Sequence, residues 1–114
     1  MDLKHLREQA QGLRMKANNL RQQSARLTDN VTAHIKDGNP DTAQAEQAQA
    51  EKLNQDAADL DAQAIVAENQ ANDKEREIQS IEQQQTQLRQ EFDQRMNELD
   101  KQRTNLIGTS TSLF

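Results

Sequence analysis

The sequence predicts an all-α protein, an antiparallel helical hairpin (coiled coil) whose second helix extends beyond the first. Three observations predict it. Helix-favouring residues dominate the composition, with 18 Gln and 14 Ala, whereas aromatic residues make up only 2%. Apolar residues recur at alternating spacings of three and four, as in a coiled coil. A single strong helix break, at residues 37–41, divides that pattern.

Composition limits both the size of the core and the available chemistry. The chain has 114 residues, of which 32% are hydrophobic, so it has room for one domain but too few apolar residues for a thick core. It contains no Cys, which excludes disulfides, thiol chemistry and cysteine-based metal sites. No apolar run approaches the ~18 residues that a membrane-spanning helix needs.

The first helix is predicted over residues 1–36, which carry five consecutive heptads in phase. Its seam, the line along which a partner helix would pack, alternates two heptad positions that we call a and d. Position a holds Leu3, Ala10, Ala17, Ser24 and Val31, and position d holds Leu6, Leu13, Leu20, Leu27 and His34. The small residues at a allow a partner backbone to come close.

The predicted turn spans residues 37–41. Gly38 suits the left-handed position after a helix, Asn39 can cap the next helix, and Pro40 can occupy its first position. A connection this short makes the flanking helices antiparallel neighbours, with residue i lying near residue 78 − i, roughly.

The second helix is predicted to continue to residue 107, because its heptad phase never slips. Residues 42–76 form its acidic first half, whose Ala-rich seam pairs with the first helix. The charges of the two segments support this pairing. Residues 1–36 contain seven basic and three acidic residues, whereas residues 37–73 contain one basic and nine acidic residues. The leucines predicted in the hairpin seam are Leu6, Leu13, Leu20, Leu27, Leu53 and Leu60.

An alternative fold is a three-helix up-down-up bundle. Residues 69–73 contain cap-forming residues that suit a second turn, with Asn72 and Glu75 as a capping box. A third helix would also cover Ile65 and Val66, which fall outside the seam. The unbroken heptad phase and the narrow apolar stripe argue instead for a two-stranded hairpin.

Residues 77–107 are predicted to form an oligomerising or partner-binding helical segment, because the first helix is too short to cover them. Its seam residues, which we call the C-terminal stripe, are Ile78, Ile81, Leu88, Phe92, Leu99 and Leu106. We expect a second copy or another helical protein to bury this stripe. Gln85, Arg95 and Gln102 interrupt it, and such polar residues set register more than stability. Residues 108–114 are predicted to be a flexible tail with an apolar tip, Leu113 and Phe114.

The sequence offers no candidate catalytic, cofactor-binding or metal-ligating residue. His5 and His34 lie near opposite ends of the predicted hairpin. Residues 37–41 have the D-x-N-x-D spacing of a calcium loop, but Thr42 and Ala48 stand where that loop needs Gly and Glu. We therefore expect no enzyme, no cofactor and no small-molecule substrate. Nucleic-acid binding is disfavoured because the acidic segment would neutralise the basic helix.

These features predict a non-enzymatic structural protein, a scaffold, stalk or adaptor subunit of a larger bacterial or phage complex. The predicted shape is similar to that of helical-hairpin stalk proteins of bacterial export machines and small scaffolding proteins of phage heads, without a shared motif. The alternative is a membrane-active or translocated helical protein, such as a secreted filament subunit or an ejected virion component, with residues 88–107 as its amphipathic face. The first residues lack the apolar region of a signal peptide, so we expect synthesis in the cytoplasm, with the final location (cytoplasm, secretion machine or virion) left open.

Overall fold

A computed structural model describes residues 1–108 and contains two helices in that range. Helix α1 spans Leu3–Lys36 and helix α2 spans Pro40–Ile107. Ion pairs between the start of α1 and the region of α2 near residue 75 show that the helices are antiparallel. The predicted all-α helical hairpin is therefore confirmed. The alternative three-helix bundle is not formed, because residues 69–73 lie inside α2.

The ends of α1 are satisfied by local hydrogen bonds. The Asp2 carboxylate accepts a hydrogen bond of 2.9 Å from the backbone N–H of His5, and this bond lowers the pKa of Asp2. At the other end, the backbone N–H of Asn39 donates to the carbonyl of His34 at 2.8 Å, and that of Gly38 donates to Ile35 at 3.2 Å. These two bonds form a Schellman motif.

The turn between the helices spans residues 37–39, which is shorter than the predicted residues 37–41. Gly38 has a φ of 78°, the left-handed conformation that a residue without a Cβ adopts at least cost. Pro40 begins α2, where its missing N–H leaves no helical bond unmade and its fixed φ suits the first turn. Asp41 is an acidic residue in that first turn, where its negative charge interacts favourably with the positive end of the helix dipole.

The described chain divides into two units, residues 1–75 and residues 76–108. The first unit contains the hairpin and its core. Its buried residues lie along the seam, mostly at position a, and are Leu6, Ala10, Ala17, Ser24, Val31, Ala43, Ala50, Ala57, Ala64, Ala67 and Ala71. The second unit is the remainder of α2, and every residue of it that the structure describes is exposed.

Residues 109–114, most of the predicted tail with its Leu113 and Phe114, lie outside the described residues. Gly108, the one residue of the predicted tail that the structure describes, has a φ of 72° and directly follows the last residue of α2.

Candidate protein-interaction face

The hairpin seam is lined by alanine at its deepest positions. Ala17, Ala57 and Ala64 are completely buried, with no exposed surface. The distance between two packed helices depends on the side chains at their contact, so a seam of methyl groups lets the backbones approach closely. The Ser24 hydroxyl, itself buried, reaches the carbonyl oxygen of Ala50 in the opposite helix at 2.9 Å. This bond shows how near the two backbones are.

The six leucines predicted in the seam lie beside this alanine line, at different depths. Leu6 is buried with 3% of its surface exposed, whereas Leu13, Leu20 and Leu27 of α1 are only partly buried. Leu53 and Leu60 of α2 are likewise partly buried. The leucines therefore flank the closest contact between the helices, and the alanines form it.

One edge of the hairpin carries a ladder of ion pairs between heptad e positions, one residue after d. Three arginines of α1 spaced seven apart face three carboxylates of α2 spaced seven apart, and we call this set the ion-pair edge. The pairs are Arg7 with Glu75 at 2.7 Å, Arg14 with Glu68 at 2.9 Å, and Arg21 with Asp61. In each pair the residue numbers add to 82, close to the 78 predicted from the turn.

Arg14 lies at the centre of the ion-pair edge and contacts two carboxylates one heptad apart. Its guanidinium donates to both Oε atoms of Glu68, at 2.9 and 3.2 Å, and to Asp61 at 3.2 Å. The hydrogen bond from Arg14 lowers the pKa of Glu68, and the same bond raises the pKa of Arg14. Opposite charges thus hold the antiparallel register along this edge.

A further cross-helix pair, outside the ion-pair edge, lies near the turn. His34 and Glu46, both at position d, approach to 3.0 Å between Nε2 and Oε1, and both side chains are partly buried. The heptad repeat puts both residues at seam positions, but the repeat alone does not pair them. The expected pairing of residue i with residue 78 − i points to this contact, because it places residue 34 near residue 44, two residues from Glu46.

In the second unit the C-terminal stripe is uncovered. The exposed fractions of its six residues range from 41% for Ile78 to 88% for Leu106, and Phe92 is 63% exposed. Met96, at an e position beside the stripe, is 44% exposed. A row of large apolar side chains facing water is a candidate interaction surface, whereas single exposed leucines are common on protein surfaces.

The polar residues near the C-terminal stripe are arranged by edge. The g positions, one residue before a, hold Glu77, Glu91 and Glu98, whereas the e positions hold Glu82, Arg89 and Arg103. One flank of the stripe is therefore acidic and the other is mixed. Flanking charges of this kind select the orientation and partner of a coiled coil.

The described residues show no metal site and no membrane-spanning helix. Among residues 1–108, no group of three or more His, Asp or Glu side chains lies close enough to hold a metal ion. A surface groove beside the ion-pair edge is lined in part by Arg14, Glu68 and Ala71. The two charged side chains of this lining are hydrogen-bonded to each other. Within the same range, neither helix is long and apolar enough to cross a membrane.

Comparison with known proteins gives no relative: no family model, no curated protein and no solved structure matches the chain.

Proposed function

We propose that the protein is a non-enzymatic assembly protein, which joins a larger complex through the C-terminal stripe. The observation that carries the proposal is the contrast between the two units. The seam of residues 1–75 is filled by the chain itself, with alanines at 0–5% exposure, whereas the same heptad positions beyond residue 76 are exposed by 41% or more wherever they are apolar. Burial of these side chains by another helix would stabilise the complex.

The polar residues of the stripe favour a protein partner over a lipid surface. Gln85, Arg95 and Gln102 occupy seam positions, where hydrocarbon would leave their polar groups unsatisfied but a second helix supplies hydrogen-bonding groups. Residues 76–107 also contain five basic and six acidic residues, so they lack the positive charge that attracts anionic lipids.

The hairpin fills its own seam from within the chain. Its alanine packing and the ion-pair edge occupy the seam of residues 42–75, so a partner helix cannot pack into that seam, although Ile65 and Val66 outside it are 47% and 56% exposed. The apolar seam positions left open to a partner lie in residues 76–107. We infer that α1 defines where along α2 the partner binds.

The experiment compares the size of the complex formed by three proteins in extract of the source cells. The tagged wild-type chain is expected to migrate in a complex larger than a monomer. The variant Leu88→Glu with Phe92→Glu is expected to migrate as a monomer, because two carboxylates in the stripe oppose burial. The control, Gln83→Glu with Gln90→Glu, adds the same charge at outward-facing positions and should leave the complex intact.

Two outcomes would overturn the proposal. One is a wild-type chain that is monomeric both when purified and in the extract. The other is flotation of the purified chain with vesicles of phosphatidylcholine and phosphatidylglycerol, lost in the stripe variant and retained in the control. That second result would establish the membrane-active alternative.

A further inference from the structure

We propose that the hairpin has a second register, in which α1 lies one heptad further along α2, towards the C-terminal end of that helix. The second register covers Ile78 and Ile81, the first two residues of the C-terminal stripe, with the start of α1. Most of the groups that hold the two helices together recur every seven residues along α2, so α1 finds equivalent partners after the shift. The shift needs no partner protein and does not depend on the proposed function.

The cross-helix contacts define the observed register through the sum of their residue numbers. The hydrogen bond from Ser24 to Ala50 gives a sum of 74. The contact of His34 with Glu46 gives 80, and each pair of the ion-pair edge gives 82. In the second register each sum is seven larger, so the facing residues follow directly.

The alanine line of the seam is the same in both registers. By the sum of 74, the fully buried Ala17 lies opposite Ala57. After the shift it lies opposite Ala64, which is another fully buried alanine. The Ser24 hydroxyl then meets the backbone carbonyl of Ala57 instead of that of Ala50. Because the methyl groups and the carbonyl acceptor are equivalent, the close approach of the helices is retained.

The ion-pair edge keeps three pairs, because α2 carries one more carboxylate in the same row. Glu82 follows Glu75 by seven residues, at the next e position. In the second register Arg7 pairs with Glu82, and each of the other two arginines moves to the carboxylate one heptad further along. A shift towards the turn would instead bring Arg21 to the uncharged Asn54 and lose a pair. The charges therefore select the direction of the shift.

Arg14 shows how an arginine of this edge exchanges one carboxylate for the next. Its guanidinium contacts Glu68 at 2.9 Å and also contacts Asp61, one heptad away, at 3.2 Å. A guanidinium has several donors in a planar fork, so it can bind a second carboxylate before it releases the first. The ion pairs therefore do not all have to break at once when α1 moves.

At the open end of the hairpin the second register buries additional apolar surface. Leu3 comes opposite Ile78, and Leu6 comes opposite Ile81. These isoleucines are 41% and 54% exposed in the observed register, so covering them is favourable. Lys74 lies opposite a leucine in both registers and favours neither.

At the turn the second register is less favourable. His34 loses its contact with Glu46 and comes opposite Leu53. Residues 40–46 leave α2, because the connection between the helices becomes seven residues longer, and Ala43 is the buried residue among them. These losses make the observed register the more populated one. The position of α1 thus sets where the exposed part of the C-terminal stripe begins.

Disulfide trapping in the full chain tests the second register, because the native chain has no Cys. Ser24→Cys with Ala57→Cys joins positions that face each other only after the shift. In the observed register residue 57 is displaced by about 10 Å along α2 from the partner of Ser24, too far for a disulfide. Ser24→Cys with Ala50→Cys reports the observed register. Ser24→Cys with Ala43→Cys, displaced equally in the opposite direction, gives the background from local opening.

We expect the disulfide between positions 24 and 57 to form several-fold faster than the disulfide between positions 24 and 43. Mass spectrometry after timed oxidation of dilute protein measures both rates for intramolecular bonds. Equal rates would overturn the second register, because undirected opening of the hairpin exposes the two pairs alike. A disulfide that forms between positions 24 and 50 but never between 24 and 57 would overturn it as well.

Two substitutions that each remove one negative charge provide a second test, since they act on different registers. Asp61 pairs with Arg21 in the observed register and lies opposite Thr28 in the second. Asp61→Asn should therefore raise the rate of the 24–57 disulfide several-fold relative to the 24–43 background. Glu82→Gln removes the partner of Arg7 in the second register and should lower the same rate.

The control for these substitutions is Glu98→Gln, which removes the same charge at a position that α1 reaches in neither register. It should leave the rate of the 24–57 disulfide unchanged. Changes of the same direction and size in the variants at residues 61 and 82 would contradict the second register, because a general loss of stability does not distinguish them.

Discussion

The hydroxyl of Ser24 donates a hydrogen bond of 2.9 Å to the backbone carbonyl oxygen of Ala50 across the hairpin. A main-chain carbonyl inside a helix is within reach of a side chain from another helix only when the two helices are closely packed. The alanines that line this seam make the approach feasible, since Ala17 and Ala57 are fully buried. Close packing of the two helices at the alanines therefore stabilises the hairpin together with the leucines.

Enlarging a seam alanine should destabilise the hairpin. Ala57 is completely buried, so Ala57→Leu forces the helices apart or into strained rotamers, at a cost of about 1–3 kcal/mol of unfolding free energy. Ala58→Leu, at the exposed neighbouring position, is the matched control and should change stability little. Urea unfolding of both variants measures the difference, and equal midpoints would contradict the close seam.

The seam leucines should contribute in proportion to their burial. Leu6→Ala removes a side chain that is only 3% exposed and should cost about 2–5 kcal/mol. Leu20→Ala, at a partly buried position, should cost less, because some of its surface faces water in the folded protein. Thermal or urea unfolding gives the ranking. A larger loss at Leu20 than at Leu6 would show that the seam is packed differently.

The left-handed turn residue should be sensitive to substitution. Gly38→Ala introduces a Cβ at a φ of 78°, with no neighbouring atom within 4 Å, so the cost arises from backbone strain alone. We expect a loss of about 1–2 kcal/mol in unfolding free energy. Gly12→Ala, in the middle of α1 and with equally open space, should instead be neutral or stabilising. Similar effects at both glycines would exclude strain as the cause.

The contribution of the ion-pair edge should depend on pH. Arg14 holds the pKa of Glu68 below its ordinary value of 4.5, so the charged carboxylate stabilises the hairpin above that pH. The stabilisation is lost as the pH falls through the folded-state pKa. Glu68→Gln should therefore be less stable than the wild type at neutral pH, and the difference should narrow below pH 4.5. Urea midpoints across this range test it, with exposed Glu51→Gln as control.

Removing residues 76–114 should leave a folded, monomeric hairpin. The remaining chain contains all the buried residues of the described structure and its cross-helix ion pairs. Circular dichroism and light scattering are expected to show a cooperative helical monomer. A truncated chain that still associates would place the assembly surface on the hairpin, contrary to the role proposed for the C-terminal stripe.

Patterns within the sequence predicted the course of the chain. An unbroken heptad phase, one Gly-Asn-Pro break and opposite charges on either side of it each indicate a single antiparallel reversal. The same patterns identified the C-terminal stripe, because the first helix contains too few heptads to reach it. The cap-forming residues 69–73 were ambiguous, since Asn and Asp suit a helix start as well as a solvated helix surface.

What the sequence by itself determined is which residues share a face, because the heptad period fixes the angle of each side chain around its helix. Only the tertiary structure decided how deep each residue lies. Alanine rather than leucine occupies the closest contact because the helices move together until their smallest side chains touch. The tertiary structure also decided that Arg14 bridges Asp61 and Glu68, since both carboxylates lie within reach and only three-dimensional geometry assigns the bonds.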